Sequence, residues 1–120
     1  MWSGINRRKF PRVNYNCLIN IEKPGSPETI STRTENIGEG GICVILYQDL
    51  GLFNGVNIEI KLDNGISSPL KCNGTVVWVV KKRGNTQDED VTYDTGIEFI
   101  DLKDNDKMRI QNIVDKQLNA

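Results

Sequence analysis

The segment from Val56 to Leu62 constrains the fold of this chain more than any other. Its apolar residues at positions 56, 58, 60 and 62 alternate without exception with polar residues at positions 57, 59, 61 and 63. Successive side chains of a β-strand point to opposite faces, so the pattern predicts a strand with one buried and one solvated face. The pair Asn64-Gly65 follows at once and predicts a hairpin. The chain is therefore expected to build an antiparallel sheet.

Five further segments have the periodicity or the β-branched composition of strands, and they cover residues 13–21, 29–35, 42–46, 70–82 and 91–99. From Asp104 to Leu118 the apolar residues change to a helical spacing. A chain of 120 residues is long enough for one domain with a core and too short for two. These patterns predict an all-β fold, a six-stranded antiparallel β-barrel with a C-terminal α-helix over about 104–118.

The first candidate binding segment is Arg7 to Arg12, which reads Arg-Arg-Lys-Phe-Pro-Arg and holds three of the six arginines. The net charge is only -1, so this concentration of guanidinium groups is local. Guanidinium offers a planar fork of donors that matches phosphate oxygens or the edge of guanine, and it also stacks on bases. Pro11 biases the residue before it towards an extended conformation. The segment favours an anionic partner, and the alternative is a solvated basic arm.

A second candidate segment, residues 34–42, places Gly38, Gly40 and Gly41 just before an apolar run. Glycines in such a turn permit positive φ angles and the close approach of a ligand to the main chain. Consecutive N–H groups there can form a concavity that binds anions, and Asn36 adds a side-chain amide. The alternative is a tight turn between strands with no ligand.

Together, Arg8-x-x-x-Arg12 and Asn36-x-Gly38-x-x-Gly41 resemble the two motifs of the PilZ domain, the bacterial receptor module for cyclic di-GMP. The resemblance covers nearly the whole chain, because further segments follow in the family's order at residues 74–79, 96–102 and the C-terminal helix. It implies a Greek-key arrangement of the barrel. The chain departs from the family pattern at one position, where Gly38 stands in place of a serine.

The resemblance implies a role for each motif residue. Arg8 and Arg12 would bind the phosphates and guanine faces of cyclic di-GMP, Asn36 would read the guanine edge, and Gly41 would shape the turn. Arg7 would add a third cation, and no cofactor is implied besides the ligand.

Gly38 lacks the serine hydroxyl of the family motif. One lost hydrogen bond costs about 0.5–1.5 kcal/mol, or about tenfold or less in affinity. Gly38→Ser is therefore expected to tighten binding or leave it unchanged.

Trp78 has two interpretations. Val77 and Val79 make both faces of its strand apolar, which favours a core position on the same face as Val76. The alternative is an aromatic surface on which a base of the ligand stacks.

Other features of the sequence exclude several classes of function. Cys17, Cys43 and Cys72 are widely spaced in apolar segments and are interpreted as buried, reduced thiols. The chain has no histidine, which removes the commonest metal ligand and the commonest general base, so neither an enzyme nor a metal site is expected. The acidic run of residues 88–90 is interpreted as a solvated loop. An aromatic content of 7% and a pI of about 5.4 argue against binding a nucleic acid polymer.

The resemblance implies a cyclic di-GMP receptor, and the composition predicts a cytoplasmic protein with no membrane span. A flexible arm of residues 1–12 would precede a barrel domain of residues 13–120. The ligand would draw the arm onto the barrel and change a surface that an unidentified protein partner reads. The alternative is a PilZ-like adaptor that binds no nucleotide and acts by protein contact, with Gly38 as the feature in its favour. Whether the protein is a monomer or a ligand-dependent dimer stays open.

Overall fold

The computed structural model describes residues 11–63, 66–84 and 90–119. Within these residues the chain forms seven strands and one helix. Their bounds are β1 Arg12–Asn14, β2 Leu18–Glu22, β3 Thr29–Gly38, β4 Gly41–Leu46, β5 Gly55–Lys61, β6 Leu70–Lys82, β7 Thr92–Phe99 and α1 Asp104–Leu118.

Six of these strands close into an antiparallel barrel. Their order around the ring is β3-β2-β5-β6-β7-β4, and β4 pairs with β3 to complete it. Strands β5, β6 and β7 are successive antiparallel neighbours, while β4 lies beside β7, which is a Greek-key arrangement. The remaining strand, β1, pairs with β3 outside the ring. The predicted fold class is confirmed, with one short strand added.

The alternating segment predicted from Val56 to Leu62 corresponds to β5. Val56, Ile58 and Ile60 are buried, and β5 pairs with β6 as the expected hairpin. Residues 64 and 65 of the predicted turn lie outside the described residues, as do residues 85–89, which include two of the three acids of the predicted loop.

The predicted first strand is divided in two at residues 15–17. The fully buried side chain of Thr34 accounts for the division. Its hydroxyl donates a hydrogen bond to the carbonyl oxygen of Tyr15 over 2.6 Å and accepts one from the amide of Cys17 over 3.1 Å. As a result β2 pairs with the first half of β3, and β1 pairs with its last three residues.

Aliphatic side chains fill the barrel, and Ile19, Ile37 and Ile97 are at most 1% exposed. Helix α1 adds Ile110 and Val114 to this core and packs against β1 and β3. It therefore supports the two strands that carry Arg12 and Asn36. In the part of the chain that the structure describes, no helix has the length and hydropathy needed to cross a membrane.

The three cysteines are buried, as predicted. Burial raises the pKa of the Cys72 thiol to about 12 and also raises the pKa of Cys17. The thiolate is the reactive form of cysteine, so both side chains are protonated and unreactive near neutral pH.

Candidate functional site

Strand β1 attaches the end of the first motif to the second motif. Arg12 lies opposite Gly38, and Asn14 lies opposite Asn36. Arg12 is half-buried and is the first residue of β1, although it was predicted to belong to the flexible arm of residues 1–12. Arg7 and Arg8 lie outside the described residues.

The strand registers place the motif residues on one surface. Directly paired residues of antiparallel strands point to the same face of a sheet. Two rows therefore cross β1, β3, β4, β7 and β6 in that order. One row is Arg12, Gly38, Gly41, Glu98 and Thr75, and the other is Asn14, Asn36, Cys43, Gly96 and Trp78.

We call these two rows the motif face. The residues between the rows alternate with them and point into the core, as the burial of Val13, Ile37, Ile42, Ile97 and Val76 shows. The motif face is therefore the outer surface of the barrel. It brings Arg12, Asn36, Gly38 and Gly41 together, as the resemblance implied for a shared site.

Trp78 reaches the motif face because β6 contains a bulge. Val76 pairs with Ile97 and Trp78 pairs with Gly96, which leaves Val77 as an extra residue. A bulge of one residue reverses the alternation of faces that follows it. Val76 therefore points into the core, Trp78 points outward, and Val79 packs against the core again. The prediction that Trp78 is a core residue beside Val76 is wrong.

The Trp78 indole is held against the main chain of the neighbouring strand. A Cβ atom added to Gly96 would overlap the indole nitrogen Nε1 and the ring atom Cε2. The ring thus fills the space that a side chain would occupy at position 96. Trp78 is half-buried and presents an aromatic surface on the motif face.

Asn36 follows a second bulge, at Glu35. Thr34 pairs with Val44 and Asn36 pairs with Cys43, so the register shifts between them. The hydrogen bonds of Thr34 fix the strand just before this bulge. The Oδ1 atom of Asn36 is buried, and none of the described residues donates a hydrogen bond to it. A buried acceptor without a donor costs about 1–3 kcal/mol, which favours a site that a ligand completes.

The glycines of the second motif serve close packing of main chains. Gly38, Gly40 and Gly41 do not have the positive φ angles that glycine would permit in such a turn. A Cβ atom on Gly38 would lie 2.6 Å from the carbonyl oxygen of Pro11, and one on Gly41 would overlap the carbonyl oxygen of Ile97. Gly38 therefore leaves room for β1, and Gly41 leaves room for β7.

Two residues of this region were not predicted from the sequence. Thr34 positions the bulge before Asn36, and the alternation of the strand does not distinguish it from Thr32, which is half-buried on the same face of β3. Glu98 places an exposed carboxylate on the motif face opposite Gly41. Its position follows from the register of β4 and β7, which the sequence does not reveal.

Comparison with known proteins identifies a family model and several structures that are similar to this chain. The model of the PilZ domain matches residues 6–116. The structure of the Bacillus subtilis inhibitor of motility MotI/DgrA has a TM-score of 0.74 and 20% identity, over 94% of this chain and 52% of that chain. The PilZ domain of YcgR from Escherichia coli with c-di-GMP has a TM-score of 0.72 and 14% identity, over 94% of this chain and 92% of that domain.

A third similar structure is the K. pneumonia MrkH–c-di-GMP complex, with a TM-score of 0.70 and 18% identity, over 90% of this chain and 51% of that chain. The chain thus spans about half the length of MotI/DgrA and MrkH. At these identities the structural likeness establishes the fold. No curated protein sequence matches the chain.

Proposed function

This chain belongs to the PilZ domain family, and from that premise we propose that it is a receptor for cyclic di-GMP, which binds on the motif face. The observation that carries the proposal is the pairing of β1 with β3, which brings Arg12 and Asn36 to adjacent rows of one surface. These residues come from the two separate motifs. The similar structures of YcgR and MrkH contain c-di-GMP, which supports the same ligand class here.

Among the residues that the structure describes, Arg12 is the one proposed to supply positive charge to the site. It donates charged hydrogen bonds to a phosphate or to the O6/N7 edge of a guanine, and its partial burial strengthens them by reducing competition from water. Arg8 and Arg7 precede it by four and five residues and are proposed to add two further charges. Three cations would offset the two phosphates and the nearby Glu98 carboxylate.

Asn36 is proposed to read guanine. Its buried Oδ1 accepts a hydrogen bond from an N–H group on the base edge, which removes the cost of leaving that acceptor without a donor. Discrimination then follows from geometry, because a ligand without such a donor would leave the oxygen unsatisfied.

Trp78 is proposed as a surface on which a guanine base stacks. The chain has two tryptophans, Trp2 and Trp78. In a Trp2→Phe variant, we expect saturating cyclic di-GMP to change the fluorescence of Trp78, because a base that stacks on the indole alters its emission. The double variant Trp2→Phe/Trp78→Phe is the control, and its remaining emission should not respond. An unchanged spectrum at saturation, as established by calorimetry, would remove Trp78 from the site.

Ligand binding is proposed to draw residues 1–11 towards β1 and change a surface that a protein partner reads. Binding of a doubly charged ligand would neutralise the repulsion within the arginine segment, and such order transitions are common in regulatory proteins. The alternative function is a PilZ-like adaptor that acts by protein contact without nucleotide, and the missing hydroxyl at Gly38 is the feature in its favour.

Isothermal titration of the purified protein with cyclic di-GMP distinguishes these two functions. We expect saturable binding tighter than about 10 μM, or roughly -7 kcal/mol. GTP should produce no comparable heat, because it lacks the second guanine and the cyclic arrangement of phosphates. Absence of binding under conditions where the protein is folded would contradict the receptor function and leave the adaptor.

A further inference from the structure

We propose that Gly38 is a positioning residue for Arg12. Because Gly38 has no side chain, the main chain of residues 11–12 can lie close against β3. The inference rests on the proposed function, since it concerns how Arg12 is presented to the ligand. It reverses the expectation that restoring the family's serine improves the site.

The space at Gly38 is occupied by main chain. A Cβ atom there would lie 2.6 Å from the carbonyl oxygen of Pro11, 2.9 Å from Cγ of Arg12 and 3.4 Å from its Cα. The first distance is too short for a non-bonded contact between carbon and oxygen, and the second is too short for one between two carbon atoms. The arginine side chain can rotate away, but the Pro11 carbonyl moves only with the peptide plane that it shares with Arg12, the first residue of β1. Any side chain at position 38 therefore displaces the start of β1.

Strand β3 has no room to relieve this contact by moving the other way. On its opposite edge Gly38 pairs with Gly41, and Gly41 is itself in close contact with the main chain of β7 at Ile97. The ring is closed on that side, whereas β1 has three residues and lies outside the ring. We therefore expect β1 to move, and Arg12 to move with it.

A serine at position 38 would thus have two opposing effects. Its hydroxyl adds one neutral hydrogen bond to a nearby ligand, and its Cβ atom moves a guanidinium group that makes charged hydrogen bonds. Charged hydrogen bonds are about twice as strong as neutral ones, so the loss exceeds the gain. We expect Gly38→Ser to weaken cyclic di-GMP binding by about tenfold.

Three variants separate sterics from the hydroxyl. Gly38→Ala adds only the Cβ atom, Gly38→Ser adds the hydroxyl as well, and Gly55→Ser is the matched control, because a Cβ atom on Gly55 has its nearest contact at 3.9 Å. In calorimetric titrations with cyclic di-GMP, both Gly38 variants should bind about tenfold more weakly than the wild type, and Gly55→Ser should match it. Binding by Gly38→Ser as tight as that of the wild type, or tighter, would overturn the proposal.

A double-mutant cycle tests whether Gly38 acts through Arg12. If it does, Arg12→Ala should weaken binding less in the Gly38→Ala protein than in the wild type, because the guanidinium has already moved. A general loss of stability would leave the two effects independent. Independent effects would therefore show that Gly38 has only a structural role.

Amide hydrogen exchange of the ligand-free protein tests this inference independently of the proposed function. The amide of Tyr15, the residue that follows β1, donates to the carbonyl oxygen of Glu35 over 3.3 Å. Its exchange and that of the β1 amides should accelerate in both Gly38 variants and stay unchanged in Gly55→Ser. Unchanged exchange in the Gly38 variants would overturn the inference, even if the wild type binds the ligand. Failure of the wild type to bind would overturn the receptor function, whatever the exchange rates are.

Discussion

Replacing Arg12 with alanine should weaken cyclic di-GMP binding by about 1.5–3 kcal/mol, or roughly 10- to 150-fold. This side chain is held on the motif face before the ligand arrives, because β1 pairs with β3 and α1 packs against both strands. Little conformational entropy is then lost when the guanidinium binds a phosphate or a guanine. The same magnitude is expected for Arg8→Ala on the resemblance of the first motif.

Isothermal titration under one set of salt conditions measures this effect. Arg33→Ala is the matched control, because it removes the same charge from an exposed position on β3, where the guanidinium donates to the Asn16 side chain. Its affinity should stay close to that of the wild type, since solvated charges interact weakly with a ligand that they do not touch. Equal affinities for the wild type and Arg12→Ala would mean that the ligand does not bind at the motif face.

Replacing Gly41 with alanine should lower the free energy of unfolding by about 1–3 kcal/mol, and this loss should appear without ligand. The new Cβ atom would overlap the carbonyl oxygen of Ile97 and lie 3.2 Å from Cα of Glu98. Both contacts are with the main chain of β7, so relief requires β4 and β7 to separate. The pairing of these strands helps to close the ring.

Urea denaturation of the ligand-free protein checks this prediction, with Gly55→Ala as the control. Gly55 has open space at its Cβ position, and the alanine there should change stability by no more than about 0.5 kcal/mol. If the two alanine variants were equally stable, Gly41 would have no role in closing the barrel. Its presence in the motif would then have to be explained by the ligand alone.

The sequence predicts the positions of the strands and of the helix, but it predicts which side chains point inward only where one face is buried and the other is solvated. Val56 to Leu62 is such a segment, and so is the helix, whose bounds of Asp104–Leu118 match the predicted range. Trp78 was assigned to the wrong face because residues 76–80 are apolar on both sides. Nothing in that run distinguishes regular alternation from alternation interrupted at Val77. A bulge cannot be recognised from the sequence where the residues on both faces of the strand are apolar.

The candidate site shows a similar division. The motif residues Arg12, Asn36 and Gly41 could be identified from type and spacing, and the structure brings them to one surface. The packing role of Gly38 could not be predicted, because it depends on the Pro11 carbonyl, which is distant in sequence and adjacent only after β1 pairs with β3. Asn36 was predicted as a contact, but its buried oxygen depends on the bulge at Glu35.

The attachment of β1 outside the closed ring has a mechanical consequence. A pulling force on the chain ahead of Pro11 would act first on three residues that pair with β3, whereas every strand of the ring has neighbours on both sides. Under such tension β1 would peel away while the barrel stayed folded, because small peripheral elements open at lower free energy than the core. Any tethered domain or anchor that strained this end of the chain would remove Arg12 from the motif face. A ligand that contacts both Arg12 and Asn36 would hold β1 on β3, so a larger force would be needed to detach β1 when the ligand is bound.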